Sequence, residues 1–400
     1  MHPTKQREKF APIDFKQRFP ALDGIRALAV LMVFADHFGG GAHGGKILQL
    51  VNEIRGYGWV GVDIFFVLSG FLITGILYDT RHDSRFFQRF FARRSLRIFP
   101  VFYLVVAVCL ALTPIFHYVW RPGHLLFLFY MGNFLANHDF SYYMINSRNH
   151  APAANIFIGH FWSLCVEEQF YLLWPIGVWL LRDRVKILWT ATALCVLALA
   201  LRFVMVFTLN LSVAETWIVR TLPFRMDALL FGGILALLLR GPNADRWQRA
   251  CLPLFVFGAG GFVALCVIRP PHFYLLLLSI GLTLTAFAGT GLIGLTLPSG
   301  SPAFRLFYRK PLRVLGKYSY GFYIYHVLFG NAWIALLVFL EHRLHSLSMA
   351  GFIMIPSALV VTFFVSKLSF DLFEVKFLRW KRHFEYDSEL VEHQHAFITK

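Results

Sequence analysis

A histidine, an arginine and several carboxylates stand inside otherwise apolar stretches. In FPALDGIRALAVLMVFADHFGG, Arg26 and His37 lie eleven residues apart. On a helix that spacing is about 1100°, roughly 20° past three full turns, with a rise of about 16.5 Å. The two side chains therefore share a face at opposite ends of one membrane-length segment. Asp36 lies about 100° round from His37 on the same turn. A further acid, Asp63, falls near the start of WVGVDIFFVLSGFLIT, and two more, Glu167 and Glu168, sit in FWSLCVEEQFYLLWP. A histidine with a carboxylate partner is held in one tautomer and made more basic, the arrangement of a general base. Helix neighbours diverge by about 100°, so only one of Glu167 and Glu168 can face a given point. The other caps the helix or faces a different cavity. Acids near a helix N-terminus also stabilise its dipole, which accounts for one glutamate better than two.

A second group is basic. In RFFQRFFARRSLRIFP, Arg85, Arg89 and Arg93 recur every four residues with phenylalanines between them. That pattern predicts an amphipathic helix lying on the inner leaflet. Arg94 and Arg97 are three apart and share a face leading into the next apolar run. Paired guanidinium groups suit phosphates, which they grip in forks. The same residues also serve as a positive-inside signal that touches anionic lipid. Arg26, at the cytoplasmic end of its run, either snorkels or joins them.

The elements that must position these residues are membrane helices. The 400 residues are 57% hydrophobic and only 15% charged, with 44 Phe, too apolar for soluble domains. Runs long enough to cross a bilayer recur at 21–38, 59–78, 98–116, 160–181, 187–209, 216–239, 251–268, 273–297, 318–339 and 349–370. An eleventh, 123–136, is short. If it does not cross and both termini are cytoplasmic, 27 of the 38 Lys and Arg fall inside and 7 outside. If it crosses, that bias collapses. The sequence thus predicts an all-α integral membrane protein, a polytopic bundle of about ten transmembrane helices with both ends cytoplasmic. Residues 1–20 form an N-terminal segment, 21–373 the membrane domain and 374–400 a cytoplasmic tail. The net charge of +16 is a topology signal rather than a nucleic-acid footprint. The polar start and the succession of spans argue against a cleavable signal peptide. The five cysteines lie in apolar runs without metal-ligand spacing, so no metal is expected. In this topology the spans carrying Asp63, Glu167 and Glu168 begin outside, at the depth of His37.

The stretches RALAVLMVFADH, WVGVDIFFVLSGFLIT, RRSLRIFPVFY, FWSLCVEEQFYLLWP, FRMDALLFGGILA and YSYGFYIYH resemble, in order and over nearly the whole chain, the membrane acyltransferase-3 family. The resemblance implies a bundle of about ten helices that moves an acyl group, commonly acetyl, from acyl-coenzyme A to a carbohydrate hydroxyl. Acceptors in the family include surface polysaccharides, lipid-linked glycans and peptidoglycan. Its arginine–ten residues–histidine motif corresponds to Arg26 and His37, its twin-arginine motif to Arg94 and Arg97. Its Trp-Ser-Leu-x-Val-Glu motif corresponds to Trp162, Ser163, Leu164, Val166 and Glu167, which makes Glu167 the favoured glutamate. Some members add a soluble esterase-like domain, which this chain is expected to lack. The resemblance also implies a bacterial inner-membrane location. Together these readings place coenzyme phosphates at Arg94, Arg97 and Arg26, the thioester near His37, and the acceptor outside. His37 is then the general base, supported by Glu167 first and by Asp63 or Asp36 next. Direct transfer and an acyl-histidine intermediate both remain open.

Other residues carry weaker expectations. Ser69 lies mid-membrane without a nucleophile turn and reads as a packing residue. Arg225 and Asp227 are intramembrane ions that need partners, possible neighbours of one another or lining for a tunnel. Tyr318, Tyr320, Tyr323 and Tyr325 read mostly as interface anchors, leaving His326 as the testable residue of that stretch. The remaining histidines read as loop and tail residues. The chief rival is a proton-coupled transporter of a small polar or anionic solute, since such carriers also bury Arg, Asp, Glu and His. It predicts matching halves, which the sequence does not show. A silent glycan-binding scaffold is the third reading. Binding of acyl-coenzyme A separates the enzyme from both.

Overall fold

The computed structural model describes residues 19–38, 45–137, 140–148 and 152–386. Most of the expected N-terminal segment and cytoplasmic tail lies outside the described residues. Helix α1 (Pro20–His37) opens with Pro20 and carries Asp23 three residues on, both helix-starting signals. After α2 (Lys46–Arg55) come the long helices α3 (Val60–Asp79) and α4 (Phe86–Phe116). The 123–136 run breaks into a 3-10 turn at Pro122–His124, the four-residue α5 (Leu125–Leu128) and another 3-10 piece at Gly132–Asn137. Three short antiparallel strands, β1 (Tyr118–Val119), β2 (Met144–Ser147) and β3 (Ile156–Phe157), gather this connection in the order β1-β2-β3.

The chain continues with α6 (Trp162–Leu181), α7 (Arg184–Thr208), α8 (Leu211–Arg220), α9 (Leu222–Leu238) and α10 (Ala244–Ile268). Next, α11 (Phe273–Leu276) passes through a π-turn into α12 (Leu282–Thr296). Then α13 (Pro302–Phe307), α14 (Lys310–Lys317), α15 (Ser319–Tyr325) and α16 (Gly330–Leu344) lead to α17 (Leu347–Ser369). A second π-turn at Phe370–Glu374 joins α17 to α18 (Val375–Arg379), so no break marks the expected boundary after residue 373.

Among the described residues, seven helices are long and apolar enough to cross a membrane. Two bent pairs, α8–α9 at 41° and α15–α16 at 67°, raise the number to nine. The tenth apolar run is α1, an 18-residue helix that carries Asp23, Arg26 and Asp36. Every one of the ten long runs is thus a helix or a bent pair, and the chain is an all-α, multi-pass membrane protein. One expectation is corrected. The arginine-rich stretch is not a separate surface helix. It forms the first turns of α4, 31 residues and about 46 Å long, so Arg94 and Arg97 stand on the span itself.

Close packing and buried ions hold the bundle together. Helices gain no hydrophobic driving force from lipid, so small residues let their backbones meet. A Cβ at Gly70 would fall 1.6 Å from the Leu229 carbonyl oxygen, and one at Gly232 would fall 1.9 Å from that of Val67. Only glycine permits this crossing of α3 and α9. Arg202 on α7 forks onto Asp227 on α9 at 2.6 and 3.2 Å and also donates to Thr283 on α12 at 2.6 Å. Arg225 pairs with Asp63 on α3, and Thr285 donates to the same carboxylate at 2.6 Å. Arg225 and Asp227 are therefore not each other's partners; each locks α9 to a different helix. Both pairs are buried.

Removing one member of such a pair leaves a buried charge without compensation, at a cost of about 3–5 kcal/mol. Asp227→Ala should therefore lower the unfolding temperature of purified protein in lipid nanodiscs sharply. The double variant Arg202→Met, Asp227→Leu should recover most of that loss. Strictly additive losses in thermal unfolding would contradict the role given to the pair.

Candidate active site

The last turn of α1 delivers His37, whose side chain is exposed to open space, whereas His326 and His160 are 0% and 2% exposed. His326 stands at the break between α15 and α16, where a bend of 67° turns the chain. An interrupted span is tolerated where its backbone is buried in protein. Here the freed Leu328 carbonyl accepts from the Phe157 N–H at 3.2 Å. His160 lies in the 3-10 turn that leads into α6. The His37 and His326 rings are 5.0 Å apart and edge-to-face, and those of His326 and His160 5.5 Å apart.

Backbone carbonyls fix the proton positions in this cluster, because a carbonyl can only accept. His326 Nδ1 lies 2.6 Å from the Tyr323 carbonyl, so Nδ1 carries the proton and Nε2 a lone pair. That Nε2 lies 3.3 Å from His37 Nδ1, which also lies 2.9 Å from the Val33 carbonyl. Two acceptors therefore converge on His37 Nδ1 and keep the proton there. His37 Nε2 is left as the basic lone pair, with no hydrogen-bond partner among the described residues. His160 Nε2 donates to the Ile324 carbonyl at 3.0 Å, which leaves its Nδ1 buried without a partner among them. Below the histidines, Tyr323 donates to the His160 carbonyl at 2.9 Å and contacts Ser163 Oγ at 2.5 Å.

The acids are arranged differently from the sequence expectation. Glu167 does not touch His37. It accepts from Ser69 Oγ at 2.6 Å, and Tyr171 donates to Ser69 at 3.0 Å. Glu167 lies seven residues beyond His160, about 10 Å along α6. It is also past the first turn of that helix, so dipole capping does not explain it. Glu168 diverges from it, and its Oε1 is buried without a partner among the described residues. Asp63 is engaged with Arg225 and Thr285 rather than with His37. Asp36 sits beneath Gly58, within electrostatic reach of Arg55. Ser69 is more than a packing residue, because it holds Glu167. Tyr318 and Tyr323 are buried in the bundle rather than anchored at an interface.

At the opposite end of α1 lies a vestibule of about 590 Å³. Six cations line it, Arg26, Arg94, Arg97, Arg240, Lys317 and Lys381, against two acids, Asp23 and Asp79. Arg26 is paired with Asp23, and Arg240 forks onto Asp79 at 2.7 and 2.8 Å. Arg94 and Arg97 form no ion pair with any described residue. Lys381 arrives with the C-terminal segment, which Arg93 ties to α4 through the carbonyls of Lys381 and Phe384 at 3.3 and 3.2 Å. A narrower cavity of about 130 Å³ shares Arg26, Arg94 and Arg97 with the vestibule and continues past Ser69 and Glu167 to Ser163 and Tyr323. It joins the cations to the underside of the histidine cluster. Sequence reasoning missed His160, Ser69, Lys317, Arg240 and Lys381 as members of these sites. Only His160 carried a local signal, two residues before the Trp-Ser-Leu motif.

The sequence is similar to several known proteins. YrhL of Bacillus subtilis is 31% identical over 324 residues, covering 77% of this chain and 48% of the relative. The peptidoglycan O-acetyltransferase OatA of Listeria monocytogenes is 30% identical, covering 77% of this chain and 48% of that protein. The O-acetyltransferase OatA of Staphylococcus aureus is 26% identical, covering 82% of this chain and 54% of that protein. The chain spans about half the length of these curated relatives. No solved structure matches it. The acyltransferase domain family matches residues 19–369, and a match over that much of the sequence means that this chain belongs to the acyltransferase-3 family.

Proposed function

We propose that the protein is a membrane O-acyltransferase that moves an acyl group, acetyl by its relatives' names, from cytoplasmic acyl-coenzyme A to a hydroxyl of a cell-envelope carbohydrate such as peptidoglycan. One observation carries this reading. A basic vestibule and a histidine with a free Nε2 lie at opposite ends of α1, and a narrow cavity leads from the vestibule's Arg26, Arg94 and Arg97 to Ser163 and Tyr323, which contact the His160 carbonyl beneath the histidine cluster. Arg26 and His37 are about 16.5 Å apart along that helix. A transporter needs no such unbalanced cations aimed at a base. The family's activity and the relatives' names support the enzyme over the carrier.

In this mechanism the phosphates of the donor bind Arg94, Arg97 and Arg26, with Lys317, Lys381 and Arg240 adding charge around them. Charge-assisted forks from arginine are the strong form of such contacts. The pantetheine arm threads the narrow cavity, where Ser69 and Glu167 offer polar contacts to its amides. Its thioester carbonyl then lies beside the histidines. The acceptor hydroxyl approaches from the extracytoplasmic side and gives its proton to His37 Nε2. The oxygen attacks the carbonyl carbon, the C–S bond breaks, and the departing thiolate takes the proton back from the imidazolium. His326 keeps His37 in the productive tautomer and shares the positive charge while it exists. A bacterial inner membrane suits a donor made inside and an acceptor used outside.

The test of the activity is mass spectrometry of O-acyl groups on host glycans and glycolipids, comparing wild type with His37→Ala at equal expression. Loss of a general base reduces rate by about 10²–10⁴. One acyl species should therefore disappear, and its mass names donor and acceptor together. An unchanged profile with folded protein present would remove His37 as the base and bring the transporter forward. A second test addresses the vestibule. A charge-assisted hydrogen bond is worth about 1.5–3 kcal/mol, so Arg94→Ala or Arg97→Ala should weaken coenzyme A binding about 10–100-fold. The loss should shrink as salt rises. Equal binding by wild type and both variants in calorimetric titration would place the donor elsewhere.

A further inference from the structure

At the His37 end of the bundle, α2, α3, α6, α8, α9 and α11 enclose a cleft of about 490 Å³ that the steps above do not use. Its walls carry Tyr57, Trp59, Trp162 and Tyr274. Phe262 meets Tyr57 and Trp59 edge-on at 5.8 and 5.9 Å, which fixes both rings. At the bottom lies Arg225, 2% exposed. One of its terminal nitrogens is taken by Asp63, but its Nε is buried without a partner among the described residues. At the rim, Asn52, Glu53 and Glu215 add oxygen acceptors, and Arg269 lies 3.5 Å from Glu53.

This combination is specific in its chemistry. A purely apolar ligand would leave the Arg225 Nε–H without a partner and make no use of the rim oxygens. A compact anion would not need several large aromatic faces. A sugar satisfies both demands. Its C–H faces lie flat on rigid aromatic rings, its hydroxyls donate to Glu53 and Glu215, and a ring or carbonyl oxygen accepts from Arg225. The cleft also adjoins the base. Gly58, between Tyr57 and Trp59, is packed so tightly on α1 that a Cβ there would lie 2.9 Å from the Cβ of Asp36, the residue before His37. Trp162 follows His160 by two residues. Both tryptophans thus stand on short segments that abut the histidine cluster.

We infer that this cleft is the acceptor site and holds a saccharide chain, with Trp59 and Trp162 as the stacking platforms and Arg225 as the buried donor. The inference rests on the acyl-transfer reading and adds to it where the acceptor binds.

The test uses the full chain in lipid nanodiscs and two calorimetric titrations, one with a soluble oligosaccharide released from peptidoglycan by a muramidase, one with coenzyme A. Trp59→Ala and the rim variant Leu211→Trp, which fills the cleft from an exposed position, should each weaken oligosaccharide binding about tenfold or more. Coenzyme A binding should stay at the wild-type value and certify the fold. If both variants bind the oligosaccharide as wild type does, the cleft is not the acceptor site, while acylation of the oligosaccharide by wild type leaves the acyl-transfer reading standing. If wild type neither binds nor acylates any envelope saccharide, the acyl-transfer reading itself falls, and this inference with it.

Discussion

Hydrocarbon offers no hydrogen bonds, so each polar group that a helix carries into the bilayer must find its partner within the bundle. The rest of this structure follows from how that demand is met. Arg202, Asp227 and Thr283 bind one another across three helices, and Arg225, Asp63 and Thr285 do so across three, two of them the same. These contacts join α3, α7, α9 and α12 into one unit. Against that fixed unit several polar groups have no ion-pair or hydrogen-bond partner among the described residues, among them the Arg94 and Arg97 guanidiniums, His37 Nε2, His160 Nδ1 and Arg225 Nε. They fall at the vestibule, the histidine cluster and the cleft over Arg225. Those are the groups we assign to ligands; Glu168 Oε1, also buried without a partner among the described residues, is given none.

The same constraint explains the interrupted helix at His326. A continuous span would carry its side chains past the site at fixed intervals. The break lets His326 turn toward His37 while Phe157 takes up a freed carbonyl. The tautomer of His37 is then set by two backbone carbonyls and one imidazole rather than by a carboxylate. His326, the orienting partner, is itself buried, and a neutral group there needs no compensating charge, whereas an ionised acid would.

Much of this was legible in the sequence, and what was not has a common reason. The ten long apolar runs were legible because membrane thickness sets their length, and the short run at 123–136 because it falls below that length. Arg26 and His37 were legible as a same-face pair because both lie on one helix, where spacing is geometry. The partners of Asp63 and Glu167 were not. Ser69 and Glu167 are 98 positions apart, Asp63 and Arg225 162, His37 and His326 289. Depth alone put Asp63 and Glu167 beside His37, and depth says nothing about rotation around the bundle axis. The arginines of 85–97 misled in a different way. Their four-residue repeat is that of an amphipathic surface helix, but here it belongs to the start of a long span, with Arg89 held by Asp83 and Arg93 by the carbonyls of Lys381 and Phe384.

The account turns on one proton. If the backbone carbonyls dictate the tautomers, neutral His37 carries its proton on Nδ1 and presents Nε2 to the open side. Nitrogen NMR of histidine-labelled protein in lipid nanodiscs, with His37 assigned by comparison with His37→Gln, reads this directly. The account predicts the Nδ1–H tautomer for His37 in wild type and a mixture of tautomers in His326→Ala. An Nε2–H tautomer in wild type would place the proton on the atom assigned as base, and would contradict the mechanism at its centre.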